Sequence, residues 1–166
     1  MWINRNLFIA LAIAISPSVY AAEYWTADIR VQKIGITSNN KNYNCKVTIA
    51  SSNDDDARNA KAFITLSPDL QVTSSSIINL NHNKPNDGKN ASCRTSRATG
   101  RLYGVAANGQ SSYVECKLGH LSTQAKLQIT IAGKILRSTN FKPSCSAFVI
   151  SSTPDHNFAN NFKVAR

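Results

Sequence analysis

Beyond residue 26, apolar and polar residues alternate with a period of two along almost the whole chain. Ile29 and Val31 share one parity and Ile34 and Ile36 the other, which predicts a first strand with a bulge or a change of sheet between them. Cys45, Val47 and Ile49 define one face of a second strand. Ala62, Ile64 and Leu66 define a third, stopped by Ser67-Pro68-Asp69, and Leu70 and Val72 open a fourth. Residues 79–92 are rich in Asn, Lys and Gly, carry the turn signal Pro85-Asn86-Asp87-Gly88, and read as the one long loop. Arg101 to Val105 predicts a strand, and Val114, Cys116 and Leu118 predict another. Asn108-Gly109 between them suits a type I′ hairpin, whose two central residues both need positive φ. Leu127, Ile129 and Ile131 mark the next strand. Cys145, Ala147 and Val149 alternate with Phe148 and Ile150 in the one after it. A last strand runs from about Asn161 to Arg166, with Phe162 and Val164 on one face. No stretch of this region has helical periodicity over three turns, and no repeat recurs with a period of roughly 20–50 residues. Short strands and regular turns predict an all-β, two-sheet antiparallel sandwich of about seven to nine strands.

The N-terminus follows a different pattern. Arg5 precedes the unbroken apolar run Leu7 to Ile15, Ser16-Pro17-Ser18 breaks that run, and Val19-Tyr20-Ala21 offers small or tolerated residues at a cleavage site. Residues 1–21 therefore read as a secretory signal peptide cleaved after Ala21 or Ala22, leaving 22–166 as a single domain. The apolar run is about half of what a membrane span needs, and no second run of that length occurs, so no transmembrane anchor is expected. Export changes the reading of the four cysteines, Cys45, Cys93, Cys116 and Cys145. In an oxidising compartment an even count predicts two disulfides, with three connectivities open. No pair has C-x-x-C spacing, which argues against a metal site.

The composition agrees with this picture. Charged residues make up 17 % of the 166-residue chain and apolar residues 42 %, which excludes a highly charged disordered chain and a coiled coil. The 18 asparagines favour turns over helices. The net charge of +10 becomes +9 once Arg5 leaves with the signal peptide. Lys84, Lys89, Arg94, Arg97 and Arg101 fall in one short segment opposed only by Asp87, and such an excess attracts anionic partners. Tyr103 and Tyr113 nearby are too few to argue base stacking, so no specific nucleic acid is expected.

Other candidate chemistry is thin. Asp54-Asp55-Asp56 follows the second strand, and clustered carboxylates suit calcium. The spacing is not that of an EF-hand loop and no bidentate acid is at hand, so the run is a calcium candidate to which no metal is assigned. His82 falls in the long loop, and His120 and His156 in predicted turns. No Gly-x-Ser-x-Gly elbow occurs, the chain has only two glutamates, Glu23 and Glu115, and two disulfides would leave no thiol. No enzymatic activity and no cofactor are expected. Asn90-Ala91-Ser92 is a glycosylation sequon that would be inert in a bacterial protein.

Two segments carry a family resemblance. Val114-Glu-Cys-Lys-Leu-Gly-His-Leu121 with Leu127 to Ile131, and Ala147 to Asn161 with its Pro154, Asp155, Asn157, Asn160 and Asn161, resemble the conserved-repeat domain of bacterial surface proteins, also known as domain of unknown function eleven. Ala27 to Val31 and Thr65 to Leu70 extend the likeness over nearly the whole predicted domain. The resemblance implies an Ig-like sandwich whose Asp and Asn residues close the last inter-strand connection by satisfying backbone donors and tolerating left-handed geometry. Ser122-Thr-Gln124 departs from the family, which often has Gly or Pro near that turn. A pair like Cys93 and Cys116 resembles one found in many members, so the implied pairing is Cys93–Cys116 and Cys45–Cys145, the second similar to the pin between the B and F strands of Ig domains. The expected role is an exported, secreted or periplasmic, binding or adhesion module. Its partner would be a protein or an anionic surface: glycan, lipid head group or lipopolysaccharide. The alternatives are a structural accessory subunit of the envelope or of a secretion or pilus assembly, and a secreted effector.

Overall fold

The computed structural model describes residues 26–39, 41–52, 54–102, 105–136 and 142–166, with strand placement alone for 97–102 and 105–111. The expected signal segment lies outside the described residues. Among the described residues nine strands form: β1 (Ile29–Ser38), β2 (Asn42–Ser51), β3 (Ala57–Leu66), β4 (Leu70–Asn79), β5 (Ser92–Leu102), β6 (Val105–Leu121), β7 (Lys126–Ile135), β8 (Cys145–Ile150) and β9 (Phe162–Ala165), with a 3₁₀ turn at Phe158–Asn160 before β9. They build two antiparallel sheets, ordered β1-β2-β7-β4 and β5-β6-β3-β8-β9. The first matches the A-B-E-D sheet of an Ig constant domain, and β3-β8-β9 matches its C-F-G sheet. The β5–β6 hairpin is an insertion between the D and E positions that extends the second sheet beside β3.

The core is made by the alternation read from the sequence. Cys45, Val47 and Ile49 face Ile131, Ile129 and Leu127 across the β2–β7 ladder, and all six are buried. Ala62 and Ile64 of β3 lie between Cys116 and Val114 on one side and Val149 and Ala147 on the other, so small and large side chains alternate across the sheet. The predicted irregularity in β1 is present as a register shift between Val31 and Lys33. Cys45–Cys145 links β2 to β8 across the two sheets, and Cys93–Cys116 links β5 to β6 within one sheet. Their Cα separations are 6.5 Å and 4.0 Å.

Three sequence expectations are corrected. Arg101 to Val105 is not one strand: Arg101 and Leu102 end β5, Val105 opens β6 and pairs with Leu102, and residues 103–104 lie outside the described residues. Asn108-Gly109 is not a hairpin turn. It lies inside β6, where residues 108–110 oppose the single residue Thr99 between the pairs Ala98↔Ser111 and Gly100↔Ala107. An Asn-Gly pair serves a bulge as readily as a turn, since both need backbone freedom at that point. His120 is in β6 and not in a turn.

Among the described residues Tyr43 is the largest fully buried side chain, and its ring lies against Gly133. A Cβ at Gly133 would sit 2.7 Å from Tyr43 Oη and would also strike the Gln71 carbonyl, so a side chain is excluded there. Tyr43 Oη has no hydrogen-bond partner among the described residues, and burial pushes its pKa up from 10.0 to about 12. A raised acid pKa stabilises the fold below the unfolded value, and that stability is lost as pH rises from 10 toward 12, where the unfolded chain ionises first. Tyr43→Phe is expected to remove this loss. Its stability relative to the parent, from urea unfolding at pH 9 to 12, should rise by about 2 kcal/mol across the window. An unchanged difference would mean that Tyr43 ionises freely in the folded state.

Candidate functional site

The Pro-Asp-x-Asn-x-x-Asn-Asn segment closes one end of the sandwich. Asp155 is buried and accepts three hydrogen bonds: at Oδ2 from the Ile29 amide (3.2 Å) and Asn161 Nδ2 (3.1 Å), and at Oδ1 from the Asn157 amide (2.8 Å). Ala27 N–H donates to the Pro154 carbonyl, so this connection also holds the start of β1. Asparagine and aspartate do satisfy backbone donors here. None of the motif residues is left-handed, however. Positive φ among the non-glycine described residues occurs at Asn59 and Gln124, the latter (φ 61°) in the turn between β6 and β7. The carboxylate and the 3₁₀ turn close the loop without that geometry.

The run Asp54-Asp55-Asp56 does not converge on one point. Asp54 Oδ2 accepts from Ser52 Oγ (2.7 Å), Asp55 Oδ2 from the Thr26 amide (2.9 Å), and Asp56 Oδ1 from the Thr123 amide (2.9 Å). Asp54 instead gathers with Asp28 and His156, their ligand atoms lying within 4.8 Å of one another. The two oxygens of Asp28 are engaged there by Arg30 (3.3 Å) and Asn160 Nδ2 (2.7 Å), so the cluster is balanced by its own donors. His156 Nε2 lies 3.8 Å from Asp54, and His120 Nε2 lies 3.2 Å from Asp56. Among the described residues no hydroxyl bonds to either imidazole, so neither pair activates a nucleophile.

Asp87, in the predicted loop turn, is also buried and accepts from the amide (2.9 Å) and hydroxyl (2.7 Å) of Ser122. Gly88 follows it with φ 70°, as such a turn requires. Asp28, Asp54, Asp55, Asp56, Asp87 and Asp155, six of the nine acidic residues, thus sit at one end of the sandwich, each holding a hydrogen-bond donor.

The five basic residues singled out in the sequence are not one compact patch. Lys84 and Lys89 lie in the turns between β4 and β5, Lys84 half-buried and Lys89 exposed. Arg94, Arg97 and Arg101 lie along β5, an edge strand, and span roughly 20 Å at about 3.3 Å per residue. Arg94 is exposed. Glu115, directly across from it in β6, pairs with Lys61 at 3.4 Å. Pairing of β6 with β3 stops at Tyr113, whereas β5 and β6 continue together to Leu102 and Val105, so a two-stranded arm carrying Arg97 and Arg101 runs past the sandwich.

The four-stranded sheet was not singled out by the sequence. Its 40 residues include Arg30, Lys33, Lys46, Lys126 and Lys134, and not one Asp or Glu. The outward parity of each lysine was readable, but which strands lie side by side was not.

No family model matches the chain, and neither does any curated protein. Among solved structures the chain is similar to a collagen-binding domain from a Staphylococcus aureus adhesin, at 6 % identity and TM-score 0.43, over 86 % of this chain and 97 % of that one. It is also similar to a CBM3-type domain of Hungateiclostridium clariflavum, at 7 % identity and TM-score 0.40, over 78 % and 94 % respectively. Likeness at this level carries nothing about ligand or partner. Among the described residues no helix is long and apolar enough to cross a membrane.

Proposed function

We propose that this chain is an exported, non-catalytic binding module that recognises an anionic partner surface through β5, its arm and the preceding loop. The observation that carries this reading is the separation of charge. Six of the seven aspartates are gathered at one end and engaged by their own donors, while Arg94, Arg97 and Arg101 lie along an edge strand with Lys84 and Lys89 leading into it. Cations spaced along an extended edge raise the local concentration of polyanions and steer their approach. Two disulfides fit an oxidising compartment. The resemblance to conserved-repeat modules of bacterial surface proteins belongs to the same reading.

Retention on immobilised heparin and on anionic liposomes, followed across a salt gradient, tests it. The parent protein is expected to elute well above physiological salt, and Arg94→Ser/Arg97→Ser/Arg101→Ser at clearly lower salt, because removed contacts weaken a screened interaction. An unchanged elution position for the triple variant would sink the assignment to β5.

A further inference from the structure

The outer face of the four-stranded sheet carries a groove lined by two lysines. Parity assigns it: Cys45, Val47 and Ile49 are buried, so Asn44, Lys46 and Thr48 lie on the opposite face of β2. Their ladder partners in β1 are Thr37, Gly35 and Lys33. Gly35 leaves a gap in this row. A Cβ there would meet nothing within 4 Å, and the missing side chain opens a groove of about 230 Å³. Lys33 and Lys46 line it together with Thr37, Asn44, Thr48 and Gln128. No carboxylate lines the groove, and none occurs in any strand of the sheet.

We infer that this groove binds an acidic glycan, a sugar segment carrying carboxylate or sulfate groups. Two ammonium groups on one groove with no counter-charge repel each other, and a bound anion relieves that repulsion. The amides of Asn44 and Gln128 and the hydroxyls of Thr37 and Thr48 both donate and accept, which matches sugar hydroxyls. The glycine floor at Gly35 gives the less polar face of a sugar ring a place to lie. The only aromatic residue in the four strands is Tyr43, which is buried, so the face has no stacking platform for nucleobases. This inference rests on the anion-binding reading above but uses different residues.

The test is equilibrium binding of a heparin tetrasaccharide, its fully desulfated form, a neutral tetrasaccharide and a short DNA duplex. The proteins compared are the parent, Gly35→Ile, Lys33→Gln/Lys46→Gln and the β5 triple arginine variant, each checked for an unchanged thermal melt. Gly35→Ile fills the groove without altering charge, and the open space and strand geometry accept it. The expected result is a loss of tenfold or more in heparin tetrasaccharide affinity for both groove variants, a change under threefold for the arginine variant, and no binding of the neutral sugar. Retained affinity for the desulfated form identifies carboxylate recognition, and its loss identifies sulfate. If Gly35→Ile binds like the parent while the arginine variant fails, the β5 reading stands and the groove is excluded. If DNA binds as tightly as the tetrasaccharide and responds equally to Gly35→Ile, the glycan class is wrong. If no anion binds any protein, both readings fall.

Discussion

Replacing both Cys45 and Cys145 with alanine is expected to lower the stability of the fold by about 4–5 kcal/mol. The bond closes a separation of 100 residues, and in the chain-entropy description the loss grows with the logarithm of the loop. It also joins the two sheets, since Cys45 pairs with Ile131 on β2–β7 and Cys145 with Leu66 at the end of the β3–β8 ladder. Both cysteines are buried, so alanine leaves a small void in addition to the lost cross-link. The second bond provides an internal control. Cys93–Cys116 closes only 23 residues between adjacent strands, and the corresponding double alanine variant should lose about 3 kcal/mol. Urea unfolding of the two variants, compared on the same slope, gives the ordering. A larger loss for Cys93/Cys116 would show that the hairpin insertion, and not the inter-sheet pin, limits stability.

Asp155→Ala is expected to cost about 3–5 kcal/mol, because it leaves the Ile29 and Asn157 amides and the buried Asn161 side chain without their acceptor. The effect should be local as well as large. The Ile29 amide begins β1, and Ala27 is bridged to Asp155, so hydrogen exchange should accelerate first in residues 26–31 and 155–161. Asp155→Asn keeps the shape and one acceptor oxygen, and should recover part of the loss. If Asp155→Ala unfolds no more readily than the parent, the closure of this end depends on the backbone bonds between Ala27, Pro154 and their neighbours.

The core strands were legible because both sheets of a sandwich are wetted on one face and buried on the other. In β2, β3, β7 and β8 that asymmetry leaves a clear alternation, and the first-strand bulge shows as a change of parity between Val31 and Ile34. The β5–β6 hairpin was misread for the same reason. Beyond Tyr113 it has no second sheet neighbour among the described residues, and its sequence there shows no period-two alternation to mark its register. In β4 the run Ser74-Ser75-Ser76 pairs with β7 through its backbone, and nothing in those side chains announced a strand of ten residues.

The candidate sites divide along a similar line. The positive charge was visible as a count, and Arg94, Arg97 and Arg101 as a cluster in sequence. Only the folded chain places Arg94, Arg97 and Arg101 along an edge strand, engages six aspartates at one end, and sets Lys33 beside Lys46 across a gap at Gly35. Asp54, Asp55 and Asp56 illustrate the converse. They are adjacent in sequence, yet successive side chains turn to different donors, and the neighbours of Asp54 are Asp28 and His156.

By itself, the sequence determined the all-β class, most strand positions and the net cationic character, because these depend on local alternation and composition. The tertiary structure decided strand order, the insertion of β5 and β6 beside β3, and which side chains share a surface. Those follow from pairings between residues far apart in the chain, whose register is set by burial of both sheets against each other and leaves no mark in any one segment.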